Sequence, residues 1–318
     1  MTTGIKQLLK RTILFEAYKK FCIWEGRHYP VLQAKRMFRM YFKRILDLNN
    51  PQLFAEKIIW LKLFYFPKDS LTVLAGDKYG LRQYLDKKEL SHLKAPIIGT
   101  YDSVGEINWK TLPNKFVIKK SNASGYNIVV TDKNKVSEKD VKRKIGKWMN
   151  TPFGYLTGQH HYEKMRPKIV VEEFIEEIGK EWRILCFNGR PEIVQMVHWL
   201  GEYDGSVHGG HLESGLVFAD LEGKIVGIAK SINHSINQSI NQRYKVGDNI
   251  DLPSDFKTMV ETAVLIAKDF PFVRVDFFHG GGKLILSELT FTPANGYGRY
   301  GDSLQRSLGE KLTLPKRK

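Results

Sequence analysis

The sequence has only two cysteines in 318 residues, Cys22 and Cys186, at no spacing that suits a metal or a redox pair. That excludes a disulfide scaffold and suits a reducing compartment. No run of about 18 apolar residues occurs, so no membrane-spanning helix is expected. The opening stretch, MTTGIKQLLKRTILFEAYKKF, lacks the uninterrupted apolar core and small-residue cleavage site of a secretory leader. A cytosolic protein is expected. Neither GxGxxG nor the GxxxxGK loop followed by Ser or Thr is present, which excludes the familiar dinucleotide and P-loop sites. Acidic residues are scarce, 34 against 50 Lys and Arg, for a net charge of +16. Hydrophobic residues make up 42%, too many for a disordered chain. At roughly 100–200 residues per domain, the length suggests two domains or one two-lobed domain.

The positive charge is concentrated. Residues 1–45 carry eleven basic side chains against Glu16 and Glu25, which is +9 of the +16. The same segment is rich in large apolar residues, among them Phe15, Tyr18, Phe21, Trp24, Phe38 and Tyr41. Three surfaces use this composition: a helical subdomain with a solvated basic face, a segment lying on an anionic membrane, and a nucleic-acid surface. No nucleic-acid module signature is present, so no nucleic acid is expected as a partner. Peripheral contact at the inner face of the membrane stays open.

Apolar spacing predicts helices over 5–25, 31–48, 52–64 and 77–90. Strands are predicted over 115–120, 127–131, 168–175, 181–187, 192–199, 273–278 and 283–289. Helices follow over 137–150, with Ser137 as N-cap, and over 258–268. Asn188-Gly189 and Gly280-Gly281-Gly282 are the hairpin turns. Ser231–Gln242 reads SINHSINQSINQ, a repeat whose four-residue period fits no strand or solenoid, so it reads as a loop insertion with His234 solvated. Helices early and strands late make an α+β chain with lobes, without the alternation of a dinucleotide-binding sheet.

The strongest chemical signal is at the C-terminal hairpin. Arg274 and Asp276 stand inside the apolar run FVRVDFF, and Glu288 inside LILSELTF. A carboxylate buried in a strand is costly unless it is paired or holds a cation. If all three glycines form the loop, His279 pairs with Lys283, Arg274 faces Glu288, and Asp276 lies diagonal to Glu288. Two carboxylates at that spacing can share a hard cation such as Mg²⁺. Alone, the cluster reads first as a structural Arg–carboxylate network. Lys119 ends a strand before the small-residue loop SNASG, an arrangement that can clamp a phosphate with loop N–H groups.

In chain order, Asp77-Lys78-Tyr79 with Arg82, Phe116–Lys119 with Ser124-Gly125, Glu172-Glu173, Glu181–Arg183 before CFNG, DFPFVRVD over 269–276 and ELTFTPA over 288–294 with Gly296 resemble the TupA-like branch of the ATP-grasp superfamily. The resemblance covers about residues 70–310. Glu181-Trp182-Arg183 stands where the family has D-Y-K, which keeps the charges but replaces a point charge by a planar one. Ser121-Asn122 replaces Asn-His. Thr290 stands where many ATP-grasp enzymes have an asparagine ligand, with Asn295 as a substitute.

The resemblance implies an α+β ATP-grasp fold: two lobes whose antiparallel sheets clamp ATP, preceded by a helical N-terminal region. Its divisions would be a basic helical region over 1–70, a pre-ATP-grasp segment over 71–112, an N-lobe over 113–180 and a C-lobe with the metal site over 181–318. Lys78 and Lys119 would bind phosphates, with Ser124 and Gly125 completing the cradle. Glu172, Glu173, Phe174 and Ile175 would hold adenine, and Glu181 the ribose. Arg183 and Arg274 would steady the transferred phosphoryl group. Asp276 and Glu288 would hold Mg²⁺, with Thr290 or Asn295 as a further ligand. The implied reaction is carboxylate–amine ligation through an acyl phosphate, with a sugar uronate of a bacterial capsule or other surface polysaccharide as carboxylate. The alternatives are an ATP-grasp sugar kinase and a non-catalytic basic module on membrane or nucleic acid.

Overall fold

The computed structural model describes residues 13–176, 180–199, 214–229, 240, 243–298 and 300–317. The chain starts with five helices: α1 (Ile13–His28), α2 (Pro30–Phe42), α3 (Phe54–Phe64), α4 (Ser70–Gly76) and α5 (Gly80–Lys87). α3 reads FAEKIIWLKLF and is buried nearly all round, with Phe54, Ile58, Ile59 and Leu61 almost inaccessible. A helix that is apolar on every side belongs inside a core. Here it joins the core of the second sheet, where Phe54 packs edge-on against Phe187 and Phe272.

The first sheet has four strands in the order β1–β4–β2–β3: β1 (Ile97–Tyr101), β2 (Phe116–Lys120), β3 (Asn127–Val130) and β4 (Ile169–Glu173). All pairings are antiparallel. Side chains alternate across β2. Phe116 and Ile118 pack with Ile128, Val130, Ile169 and Val171 against Val141 and Ile145 of α6 (Glu138–Met149). α6 begins as expected, with the Ser137 hydroxyl accepting from the Asp140 N–H. The short α7 (Phe153–Thr157) meets α1, whose Gly26 lies so close to the Tyr155 carbonyl that a Cβ would stand 2.0 Å from its oxygen.

The second sheet has six strands in the order β10–β9–β5–β6–β7–β8. They are β5 (Glu181–Phe187), β6 (Arg190–Trp199), β7 (Ser214–Ala219), β8 (Ile225–Ala229), β9 (Phe272–Gly280) and β10 (Lys283–Thr290). α8 (Phe256–Ala267) packs on β5, β6 and β9, and α9 (Asp302–Lys311) packs on α3. Among the described residues no helix is long and apolar enough to cross a membrane. Both cysteines are buried and unpaired.

The β9–β10 turn differs from the expected one. Gly280 pairs with Lys283, leaving Gly281 (φ 57°) and Gly282 (φ 74°) as a two-residue loop. Two positive φ values in succession match the strand twist, which is why Gly280 joins the strand instead of the loop. The register then shifts between Leu286 and Glu288, so Glu288 opposes Asp276 directly and Thr290 opposes Arg274. The expected facing of Arg274 and Glu288 is thereby corrected. Spacing did not predict α4, β1, β7, β8 or α9. The SINHSINQSINQ insertion lies outside the described residues apart from Ile240, as do His234 and the first turns of the helix expected from residue 5.

Candidate active site

Three adjacent strands place a row of charge on one face of the second sheet. Arg183 of β5 opposes Asp276 of β9, which opposes Glu288 of β10. Toward β6, Arg183 opposes Gln195, whose Oε1 is 3.4 Å from its guanidinium. At the other end of this face, Phe187 and Phe272 are covered by α3, which leaves the charged end for the seam with the first sheet.

Asp276 is fully buried and is gripped by Arg274 through Nε–Oδ1 at 2.7 Å and Nη2–Oδ2 at 2.5 Å. The Thr290 hydroxyl accepts from Arg274 at 3.1 Å. It lies 3.2 Å from Asp276 Oδ2 and 3.1 Å from Glu288 Oε1. Glu288 is held more loosely, with Oε1 3.8 Å from Arg274 and Oε2 3.8 Å from Lys78. Its side chain is 39% exposed, against 0% for Asp276. Burial pushes the Asp276 carboxyl up to about 6, against the pull of Arg274. Burial also works to raise Glu288, but Lys78, Arg274 and Arg183 outweigh it and hold this carboxyl well below the usual range. The two carboxyls are thus pushed in opposite directions, Asp276 up by burial and Glu288 down by its cationic neighbours. Arg183 lies 2.7 Å from Glu181 and 3.9 Å from Asp276.

Lys78 joins the two sheets. Its N–H donates to the Ser121 carbonyl and its Nζ to the Ala123 carbonyl, so it holds the 121–126 loop, while its ammonium faces Glu288. The loop closes through Lys120 N–H to the Tyr126 carbonyl and has Gly125 at φ 73°. Asp77 organises the turn into α5 by accepting from the Tyr79 and Gly80 N–H groups. Its Oδ2 is buried without a partner, as is the Oδ1 of Asn122.

Lys119 lies on the face of the first sheet opposite the α6 core and pairs with Glu172 at 2.5 Å. Its neighbour Lys120 points the other way and donates to the Trp148 and Thr151 carbonyls. Phe174 receives the Lys115 ammonium over its ring, and the Glu173 N–H donates to the Pro96 carbonyl. Ile175 presses on Gly280 at the β9–β10 turn, bringing the first sheet's exit strand against the second sheet.

The structure thus gathers Lys78, Arg183, Arg274, Asp276, Glu288 and Thr290, with Glu181 at the edge through Arg183. Asn295 is engaged elsewhere: its Oδ1 accepts from the buried Lys62 at 3.0 Å and its Nδ2 donates to the Thr157 carbonyl at 2.7 Å. Sequence reading did not single out Gln195, although a glutamine inside EIVQMV was a usable signal. It also missed Tyr162, a half-buried phenol whose acidity is suppressed by desolvation first and then by the charges of Glu288 and Asp77.

The donor set fits a small hard cation. Two carboxylates and a hydroxyl share one face; the exposed edge of Glu288 leaves room for waters and phosphate oxygens, while Asp276 would reach a cation only through the lone pairs that Arg274 leaves free. No cluster of three or more His, Cys, Asp or Glu that could hold a metal ion occurs among the described residues.

The family model described as TupA-like ATPgrasp matches residues 56–198 and 231–313. Among solved structures, the chain is similar to a D-alanine–D-alanine ligase from Bacillus anthracis complexed with ATP, at 15% identity and TM-score 0.40 over 69% of this chain and 56% of that one. It is similar to a D-alanine–D-alanine ligase from Helicobacter pylori at 13% identity and TM-score 0.38, over 81% and 69%. An L-amino acid ligase from Bacillus licheniformis matches at 13% identity and TM-score 0.38, over 71% and 42%. The chain therefore spans about half the length of some of the proteins it resembles. No curated protein matches it.

Proposed function

We propose that this chain, which belongs to the TupA-like ATP-grasp family, is an ATP-dependent carboxylate–amine ligase. The observation that carries the reading is the Arg183–Asp276–Glu288 row, tied by Lys78 to the small-residue loop of the other sheet. Such a cluster offers two carboxylates to a cation and three cations to phosphate, and little else. Phosphoryl transfer needs positioning and charge neutralisation more than a covalent side chain.

ATP would lie between the two sheets. Lys78 and Lys119 would meet its phosphates, with the Ser124-Gly125 backbone beside them. The Glu172–Ile175 strand exit would meet adenine, and Glu181 the ribose. Asp276 and Glu288, with Thr290 beside them, would hold Mg²⁺, which when bound neutralises phosphate charge and aligns phosphate oxygens. Asn295 would join that set only by releasing Lys62 and Thr157.

In the first step an oxygen of the substrate carboxylate attacks the γ-phosphorus. The bond from that phosphorus to the β–γ bridging oxygen breaks, giving an acyl phosphate and ADP. Arg183 and Arg274 bear on the charge that spreads over the transferred group. In the second step an amine nitrogen attacks the acyl carbon, phosphate leaves with its bonding pair, and the nitrogen loses a proton to form the amide. Arg183 suits the planar oxygens of an acyl phosphate through paired N–H groups.

The motif resemblance supports a sugar uronate as the carboxylate and an amino acid or other amine as acceptor, in the assembly of a bacterial capsule or other surface polysaccharide at the cytoplasmic side of the membrane. The test is ADP release across a panel of uronic acids and amino acids. Turnover that requires one carboxylate and one amine together supports the reading. A stable phosphorylated sugar made without any amine overturns it in favour of a kinase.

A further inference from the structure

We infer that the outer face of the α1–α2 helical hairpin docks on an anionic lipid bilayer. Of thirteen large apolar side chains exposed among the described residues, ten fall between Leu14 and Ile45. Leu14, Tyr18, Phe21 and Trp24 recur along one side of α1 at helical spacing and are 44–76% exposed. Tyr29 and Leu32, 51% and 57% exposed, extend the patch onto α2. The two helices are stitched within this face. The Trp24 and Tyr29 rings lie 5.3 Å apart, and Arg36 sits over the rings of Tyr18 and Phe21 at 5.8 and 5.5 Å.

The charge on this face has one sign. Lys35 and Arg39 are exposed beside Leu32 and Arg36. The acids of the two helices lie off this face: Glu25 is buried under Arg36, and Glu16 is exposed on the other side of α1, beside a groove shared with Lys19, Arg143 and Lys147. Trp and Tyr with an apolar body and a polar tip, bordered by Lys and Arg, are the side chains that settle at a lipid headgroup boundary. Protein–protein interfaces are depleted of lysine, whereas this face carries exposed Lys35. A nucleic acid would gain nothing from Leu14 and Leu32. No described helix can span a bilayer, so the hairpin would lie on the surface.

The test uses the full chain, floated with vesicles of phosphatidylcholine alone or mixed with phosphatidylglycerol. Binding should appear only with the anionic mixture and weaken with salt. Each engaged basic side chain is worth about fivefold in partition, from about 1 kcal/mol. Lys35→Glu with Arg39→Glu should therefore lower partition at least tenfold. Phe21→Ser with Trp24→Ser should leave a weaker, wholly salt-sensitive remainder, and Trp24 fluorescence should shift to the blue only in the parent chain. These side chains are exposed, so the folded state survives both changes. No flotation at low salt, flotation of both variants equal to that of the parent chain, tighter binding of an oligonucleotide than of vesicles, or self-association through this face that the same variants abolish would each overturn the inference. None of these readouts involves ATP turnover, so the inference stands or falls apart from the ligase reading.

Discussion

Asp276 and Glu288 stand directly opposite one another because β10 carries one extra residue, Ser287, between two regular stretches of its ladder with β9. A regular ladder from the Gly281-Gly282 turn would oppose Ser287 to Asp276 and turn Glu288 to the far face. The Ser287 hydroxyl instead donates to the Asp276 carbonyl at 3.1 Å, which ties the bulge in place. Bulges of this kind re-aim a side chain at a site. The pair it creates is unequal: one carboxylate is sealed under an arginine, and the other has an open edge.

That inequality separates the two obvious variants. Glu288→Gln removes a half-exposed charge, so it should lower ATP turnover about 10²–10³-fold with little loss of stability. Asp276→Asn should abolish turnover and also destabilise the fold, since it leaves Arg274 buried without its counter-charge at a cost of about 3–5 kcal/mol. Thermal unfolding and turnover measured together check this. Equal stability of the two variants would contradict the buried-pair description.

Lys78 touches both sheets, whereas Lys119 is paired with Glu172 on the first sheet alone. Lys78→Met should weaken Mg²⁺–ATP binding by about 1.5–3 kcal/mol, the value of a hydrogen bond to a charged group. Lys119→Met should weaken it less, because Glu172 competes for the same ammonium. Calorimetry with wild-type affinity for Lys78→Met would remove it from the phosphate site.

His160 Nε2 and His161 Nδ1 are buried without partners. Burial, helped by the charge of Lys62, pushes His160 down to about 4 and His161 down to about 3. The unfolded chain takes up these protons near pH 6.5 and the native chain does not, so stability is full above that pH and falls as pH drops from about 6.5 toward 4. The slope should approach about 1.4 kcal/mol per pH unit for each histidine. Chemical denaturation between pH 7 and 5 checks it. Asp276, pushed up to about 6, works the other way in this window, so the decline is read as the difference between the parent and His160→Gln with His161→Gln; no difference would contradict the description.

Much of the site was legible because burying charge is expensive. Arg274, Asp276 and Glu288 stood out as charged residues inside apolar strands, and they cluster as that expense requires. The pairing of β5 with β6 was readable from Asn188-Gly189, which takes positive φ at both positions. The register of β9 and β10 was not readable, since three glycines in a row admit two loops and a bulge has no local signature. Asn295 looked free to bind a cation because Lys62, its partner, lies 233 residues away in a helix that reads as plain core. α4 escaped because its seven residues span too few turns to show a period, although Asp69 caps it through the Thr72 N–H.

The account turns on an acyl phosphate, and heavy-oxygen labelling reports on it most directly. With the labelled carboxyl of an accepted uronate, ATP and an amine, one labelled oxygen should appear in the released phosphate for each amide formed, because the carboxylate oxygen that attacks phosphorus leaves with it. Unlabelled phosphate alongside amide, or label retained in a phosphorylated sugar, would contradict carboxylate–amine ligation by this chain.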